Sequence, residues 1–123
     1  MIILIVDDSR AMRAILLRTL RQAGFESHTI LEAGDGTEAM LRIRESKPDL
    51  ILSDMNMPGV TGIELLQKLQ TENIDIPLGF ITSESSQEAQ AAAADAGARF
   101  FITKPFSPER LQTVLSRVLN IGI

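Results

Sequence analysis

The sequence predicts a doubly wound α/β fold, in which one parallel sheet of five strands is covered by helices on both faces. Short apolar runs alternate along the chain with longer segments whose apolar residues recur every three or four positions, the pattern of amphipathic helices. The connections between them are short and hold turn-forming glycines and prolines. Strands that alternate with helices at this spacing pair in parallel through right-handed crossovers, so the helices lie on both sides of the sheet.

Five apolar runs have the length and composition of buried strands. Leu50–Leu52, for example, is too short for a helix and shows no polar alternation, which suits a strand covered on both faces. Gly79 is unusual inside such a strand because it packs poorly, and we expect the neighbouring Phe80 to fill the space. The predicted strands are Ile2–Val6, Thr29–Ala33, Leu50–Leu52, Leu78–Ile81 and Arg99–Thr103.

Capping residues and helical periodicity predict five helices that follow these strands. Four arginines in the first helix, at positions 10, 13, 18 and 21, are interpreted as its solvated face, with a surface that docks a partner as the alternative. The fourth helix is rich in alanine, a strong helix former whose small side chain buries little area, so we expect this helix to be weakly anchored. The predicted helices run from Arg10 to Ala23, from Asp35–Gly36 towards Pro48, from Thr61 or Gly62 through Leu69, from Glu84 to Ala96, and from Ser107–Pro108 through Val118.

Length and composition exclude several classes of protein. The 123 residues suffice for one domain, predicted to span residues 1–123, but not for two. The net charge of −4 offers no basic face for nucleic acid, and the chain has no cysteine for a disulfide or a thiolate metal site. The apolar start Met1–Val6 is too short for a signal peptide or a membrane span. We therefore expect a cytoplasmic monomer with neither nucleic acid nor a membrane as a direct partner.

Polar residues end four of the five predicted strands, and the fold would bring them to one edge of the sheet. Ligands of open parallel sheets bind at this carboxyl edge. Three clustered carboxylates repel one another by roughly 4 kcal/mol per pair at 4 Å in a partly solvated site, which favours a compensating cation such as Mg²⁺. A carboxylate can also act as a nucleophile towards phosphorus. These polar residues are Asp7, Asp8, Asp54, Thr82 and Lys104.

Four motifs at these strand ends resemble those of response-regulator receiver domains, and among them the stand-alone chemotaxis regulators of the CheY type. They are VDDS at Val6–Ser9, DMNMPG at Asp54–Gly59, ITSE at Ile81–Glu84 and KPF at Lys104–Phe106. The resemblance covers essentially the whole chain, and the motifs are specific when taken together. It implies a flavodoxin-like (βα)5 receiver fold and a role in two-component signalling.

The resemblance also implies roles for residues around a phosphoacceptor. Asp54 would accept a phosphoryl group from a histidine kinase or a phosphotransfer protein. Asp8, Asp54 and the backbone carbonyl of Asn56 would bind Mg²⁺ or Mn²⁺, with Asp7 acting through a bound water. Asn56 and Glu84 would tune dephosphorylation. The chain would catalyse only its own phosphorylation and dephosphorylation, and would otherwise act as a binding module.

A second group of residues would connect the phosphoryl group to a partner. The resemblance implies that Thr82 and Lys104 contact the phosphoryl group, and that the peptide bond before Pro105 is cis. Thr82 and Phe101 would form the switch, although Phe101 replaces a tyrosine that is common in chemotaxis regulators. The output face would comprise the last two helices and the last strand, and would bind a downstream target, with the flagellar motor switch as one candidate.

The sequence leaves three alternatives to a stand-alone regulator, and residues of the chain disfavour the last two. The chain could be the receiver part of a longer response regulator rather than a stand-alone protein. An aspartyl-phosphate phosphatase usually has a second acid two residues after its nucleophile, but Asn56 stands there. A flavin carrier of the same architecture is disfavoured because the chain has neither Trp nor Tyr to stack on the ring.

Overall fold

A computed structural model of the chain describes residues 1–120 and confirms the doubly wound α/β fold. Its five strands are parallel and lie in the order β2-β1-β3-β4-β5. The strands are β1 Ile2–Val6, β2 Thr29–Ala33, β3 Leu50–Ser53, β4 Leu78–Thr82 and β5 Phe101–Thr103. The helices are α1 Arg10–Leu20, α2 Gly36–Ser46, α3 Gly62–Thr71, α4 Gln87–Asp95 and α5 Pro108–Leu119. The predicted domain 1–123 includes three residues, 121–123, that lie outside the described range.

Side chains of the central strands alternate between two apolar cores, one on each face of the sheet. In β1, Leu4 and Val6 pack with residues of α2, α3 and α4, whereas Ile3 and Ile5 pack with residues of α1 and α5. All four side chains are fully buried, as expected of a strand that is covered on both faces. Within residues 1–120, no helix combines the length and the apolar character that crossing a bilayer requires.

The register of the sheet aligns the carboxyl ends of its strands. Val6 of β1 lies opposite Ser53 of β3, so the residues that follow each strand meet at the same level. The backbone pairing continues past the strands, because Asp7 N donates to Ala33 O at 3.1 Å and Asp54 N donates to Val6 O at 2.8 Å. These bonds extend the hydrogen bonding between neighbouring strands into the loops at the carboxyl edge of the sheet.

Several predicted boundaries differ from the structure; β3 and β4, for example, each end one residue later than predicted, at Ser53 and Thr82. The first helix is predicted to end at Ala23; regular α1 ends at Leu20, and the helical turns continue only to a kink at Gly24, whose φ of 102° lies outside the helical region. The fourth helix begins at Gln87 rather than Glu84 because the side chain of Ser86 caps it. The last strand begins at Phe101 rather than Arg99.

Gly79 also differs from its prediction. A Cβ atom at Gly79 would lie 2.3 Å from two ring carbons of Phe100, so Phe100 and not Phe80 occupies the space beside the glycine. Successive residues of a strand point to opposite faces. Phe80 accordingly packs in the core beneath α3 and α4, on the side away from the Phe100 ring.

Candidate functional site

Three aspartates converge at the carboxyl edge of the sheet. Asp7 and Asp8 follow β1 and Asp54 follows β3, and each offers a carboxylate oxygen within 4.8 Å of those of the other two. Their burial is graded: Asp7 is 2% exposed, Asp54 is partly buried and Asp8 is exposed. The expected juxtaposition of the three acids is therefore present, with an opening to solvent on the side of Asp8.

Among the ion pairs of residues 1–120, those that involve these three aspartates are both made by Lys104. Its Nζ lies 3.3 Å from Asp7 Oδ2 and 3.7 Å from Asp54 Oδ2, and its side chain is only 15% exposed. One ammonium group offsets one of the three negative charges, so the cluster retains an excess of negative charge. Hard carboxylate oxygens with an open side suit a partly hydrated divalent cation such as Mg²⁺. The donor set thus fits the ion that the sequence predicts.

The loop that carries Asp54 is held from both ends. Asn56 N donates to Asp54 Oδ1 at 3.3 Å, and the side chains of Met55 and Met57 are buried beneath it. Gly62 allows α3 to approach closely, because a Cβ there would lie 2.4 Å from Asp54 O. Sequence reasoning missed this role of Gly62, and a glycine at the first position of a helix was the available signal. These contacts fix the position of the Asp54 backbone.

A hydrogen bond connects two loops over the site. Asn56 Nδ2 donates to Glu84 Oε2 at 2.8 Å, joining the loop after β3 to the loop after β4. Both side chains are exposed, so water reaches the pair. Thr82 lies beneath them, fully buried, and its Oγ1 accepts a hydrogen bond from Glu84 N at 3.2 Å. The three residues predicted to tune or sense the phosphoryl group are thus connected to one another.

Phe101 and Pro105 lie on a neighbouring surface. The peptide bond between Lys104 and Pro105 is cis. Phe101 is partly buried against the core beneath α3 and α4 and also borders an open groove of about 710 Å³. Gln90 of α4 and Arg110 of α5 line the same groove, so it lies on the predicted output face.

Arg13 contradicts its interpretation as a solvated residue. Its side chain is 17% exposed and contacts the site, because Nη1 donates to Asp7 O at 2.6 Å. Nε donates to Glu32 Oε1 at 3.0 Å. Arginine and glutamate are common on exposed surfaces, so the pattern of residue types concealed this contact. A usable signal was the position of Arg13, one helical turn after Ser9, the capping residue of α1.

Comparison with protein families gives one match that covers most of the chain. Residues 3–116 match the family described as the response regulator receiver domain.

Individual proteins from two kinds of regulator are similar to the chain. The phosphate regulon transcriptional regulatory protein PhoB of Pseudomonas aeruginosa is 40% identical over 120 residues, which cover 96% of this chain and 51% of PhoB. The chemotaxis protein CheY of the same organism is 35% identical over 120 residues, covering 96% of this chain and 95% of CheY. The chain spans about half the length of the first curated relatives that it matches.

A solved structure is similar in fold as well as in sequence. The chemotaxis protein CheY4 of Vibrio cholerae superposes with a TM-score of 0.84 at 34% identity, covering 95% of this chain and 97% of CheY4.

Proposed function

The chain belongs to the family of response regulator receiver domains of two-component systems, and from that premise we propose that it is a phosphorylation-controlled switch whose phosphoacceptor is Asp54. Residues 1–123 would act as one receiver unit, as a cytoplasmic monomer. The phosphoryl donor would be a histidine kinase or a phosphotransfer protein. The observation that carries the proposal is the position of Asp54 within the acidic cluster and beside Lys104, whose ammonium group lies 3.7 Å from Asp54 Oδ2.

Phosphoryl transfer needs a nucleophile and a means of offsetting charge. An Asp54 carboxylate oxygen would attack the phosphorus of a phosphohistidine; the P–O bond forms, the P–N bond breaks and the imidazole leaves with the electron pair. Lys104, beside both Asp7 and Asp54, would offset the charge of the phosphoryl oxygens. The buried hydroxyl of Thr82 would donate a hydrogen bond to one of those oxygens.

Mg²⁺ or Mn²⁺ would be the cofactor. Asp8, Asp54 and the carbonyl of Asn56 would hold the ion, and Asp7 would act through a bound water. The cluster of carboxylate oxygens within 4.8 Å of one another supports this assignment. When bound, the ion would neutralise charge where the carboxylate meets the phosphoryl group.

Mass spectrometry tests the assignment of Asp54. Incubation with acetyl phosphate and Mg²⁺ should add one phosphoryl mass to the protein, and Asp54→Asn should add none. Asp8→Ala should lose both Mg²⁺ binding and labelling while the fold persists, because removing one of three clustered carboxylates relieves repulsion. Labelling of Asp7 or Asp8 in the native protein would contradict the proposal.

Asn56 and Glu84 would control how long the phosphoryl group persists. Their hydrogen bond of 2.8 Å joins two exposed side chains, so water reaches this pair, which lies two residues from Asp54 on one loop and two from Thr82 on the other. Replacing either residue with alanine should change the rate of dephosphorylation without changing the labelled residue. Ser85→Ala, an exposed change in the same loop, is the matched control. Unchanged decay in both Asn56 and Glu84 variants would remove them from this role.

The output face would be formed by α4, β5 and α5. The groove between these elements supports this proposal, because Phe101 borders it from β5, directly beside the strand that ends in Thr82. A ligand shifts a conformational equilibrium only if it contacts the two states differently, and Thr82 is placed to make such a contact. A downstream target protein would bind this face after phosphorylation.

Two kinds of output are supported by different relatives. The match to nearly all of a chemotaxis CheY favours a stand-alone regulator that acts on a target such as the flagellar motor switch. The match to half of PhoB favours the receiver part of a longer transcriptional regulator. An immunoblot of the native cells separates them: the first expects a protein of 123 residues, and the second expects one about twice as long.

A further inference from the structure

Arg13 reaches from α1 back to the loop that carries two of the three aspartates. Its guanidinium group makes two hydrogen bonds in different directions, to Asp7 O at 2.6 Å and to Glu32 Oε1 at 3.0 Å. Its side chain is largely covered, whereas Arg10 and Arg18 of the same helix are exposed. Arg13 thus connects α1, the end of β1 and the end of β2.

The polar groups of Asp7 are all engaged. Asp7 N donates to Ala33 O at 3.1 Å, and Asp7 Oδ1 accepts from Ser9 N at 2.9 Å. Asp7 Oδ2 accepts from Lys104 Nζ at 3.3 Å, so Arg13 supplies the partner of the remaining group, the backbone carbonyl. That carbonyl belongs to the peptide group that leads into Asp8. A guanidinium group bonded to it therefore fixes the peptide plane from which Asp8 projects.

We propose that Arg13 is a positioning residue for the metal-binding aspartates. It would hold the Asp7–Asp8 peptide so that the exposed carboxylate of Asp8 faces those of Asp7 and Asp54 before the ion arrives. Asp8 needs this support because its side chain is exposed, so no surrounding packing fixes its direction. The inference rests on the proposed function, since it assumes that these aspartates bind Mg²⁺.

Geometry rather than charge would be the contribution of Arg13. Glu32 pairs with the guanidinium group and offsets its charge at the site. The planar guanidinium group presents donors in a fixed fork and contacts two acceptors at once, whereas a lysine ammonium is a compact point charge on a flexible stem. Arg13→Lys keeps the charge and loses the fork, so it distinguishes the two explanations.

NMR titration of the metal-free protein with Mg²⁺ alone tests the proposal. Arg13→Met should weaken Mg²⁺ binding about tenfold, the effect expected when a residue that orients metal ligands is removed. Arg13→Lys should retain most of that loss, and Glu32→Gln should show a smaller loss in the same direction. Arg18→Met is the matched control because it removes the same charge from an exposed position of the same helix; it should leave the affinity unchanged.

Amide hydrogen exchange without metal gives an independent reading. The Ser9 amide, bonded to Asp7 Oδ1, should exchange faster in Arg13→Met than in Arg18→Met. If Arg13→Met fails to fold, Glu32→Gln still tests the proposal, because Glu32 is 43% exposed and its loss should spare the fold.

Three results would overturn the inference. Full affinity in Arg13→Lys would show that the guanidinium fork is not needed, an equal loss in Arg18→Met would show that the loss is not specific to Arg13, and full affinity in Arg13→Met would remove the role altogether. Asp8→Ala separates this failure from that of the proposed function. If Asp8→Ala still binds Mg²⁺ as the native protein does, the metal site itself is wrong; if it loses Mg²⁺ while Arg13→Met does not, only the role of Arg13 is wrong.

Discussion

Helices α1 and α4 both begin beside the acidic site, yet they are held very differently. Helix α1 starts at the capping Ser9, buries Leu16 and Leu20, and returns a hydrogen bond to the site through Arg13. Helix α4 starts after an exposed loop and buries only Ala89 and Ala93 of its nine residues. A buried leucine contributes far more apolar area than a buried alanine, so α1 is the more firmly anchored.

This difference suits the two tasks that the proposed function assigns. Metal ligands need a fixed geometry, and the loop before α1 is bonded at every polar group of Asp7. A reporting element needs a low cost of movement, and elements with few buried apolar contacts open most easily. The end of α4 far from the site is tied by Gln70 Nε2, which donates to Ala96 O at 2.7 Å. Movement of α4 should therefore be greatest at its first turn.

The largest effect is expected from Thr82→Ala. Phosphorylation of native protein should shift NMR signals of α4, β5 and α5, and in Thr82→Ala this response should vanish although Asp54 is still labelled. Ser83→Ala, which removes an exposed hydroxyl from the adjacent residue, should leave the response intact. A native response concentrated on α1, with α4 silent, would reverse the comparison between the two helices.

Removing a buried side chain should lower the free energy of unfolding more in α1 than in α4. Leu20→Ala in α1 should lower the free energy of unfolding by about 2–5 kcal/mol, because a fully buried leucine leaves a cavity. Ala93→Gly in α4 should cost about 1 kcal/mol, mainly through lost helix propensity. Urea denaturation measures both. Equal costs would show that α4 is as firmly anchored as α1.

A smaller loss is expected at the pairing of β4 with β5, where Phe100 packs against Gly79 on the face of the sheet that α1 and α5 cover. Gly79→Ala should destabilise the protein by about 1–3 kcal/mol, because its Cβ would meet the ring of Phe100 at 2.3 Å. Combining it with Phe100→Leu should recover part of the loss in urea denaturation. If the two changes were simply additive, the close contact would not be the cause.

The smallest effect concerns the first turn of α3, which follows the firmly held Asp54 loop. Hydrogen bonds from the backbone and the side chain of Thr61 lower the pKa of Glu64. These hydrogen bonds stabilise the folded state while Glu64 is ionised. Their contribution is complete above the pKa of glutamate in the unfolded chain and is lost as the pH falls through the lowered pKa of the folded state. Glu64→Gln should therefore flatten the acid limb of a melting-temperature profile. An unaltered acid limb would mean that this capping pair adds nothing measurable.

Several features of the fold and of the site were predictable because they depend on short stretches of chain. The apolar runs identified all five strands, and periodicity with capping residues identified all five helices, although α4 begins at Gln87 rather than at the predicted Glu84. The acidic cluster followed from topology, since parallel strands deliver their carboxyl ends to one edge. Lys104 accordingly lies within ion-pair distance of both Asp7 and Asp54.

What the sequence determined by itself is the order of elements, the edge at which the polar residues meet and the family to which the chain belongs. What only the tertiary structure decided is which side chains touch across elements distant in sequence. Arg13 reached Asp7 and Glu32, Phe100 covered Gly79, and Asn56 bonded Glu84. Local patterns report the period and polarity of a segment, whereas such contacts depend on rotamers and on how neighbouring elements pack, which no single segment encodes.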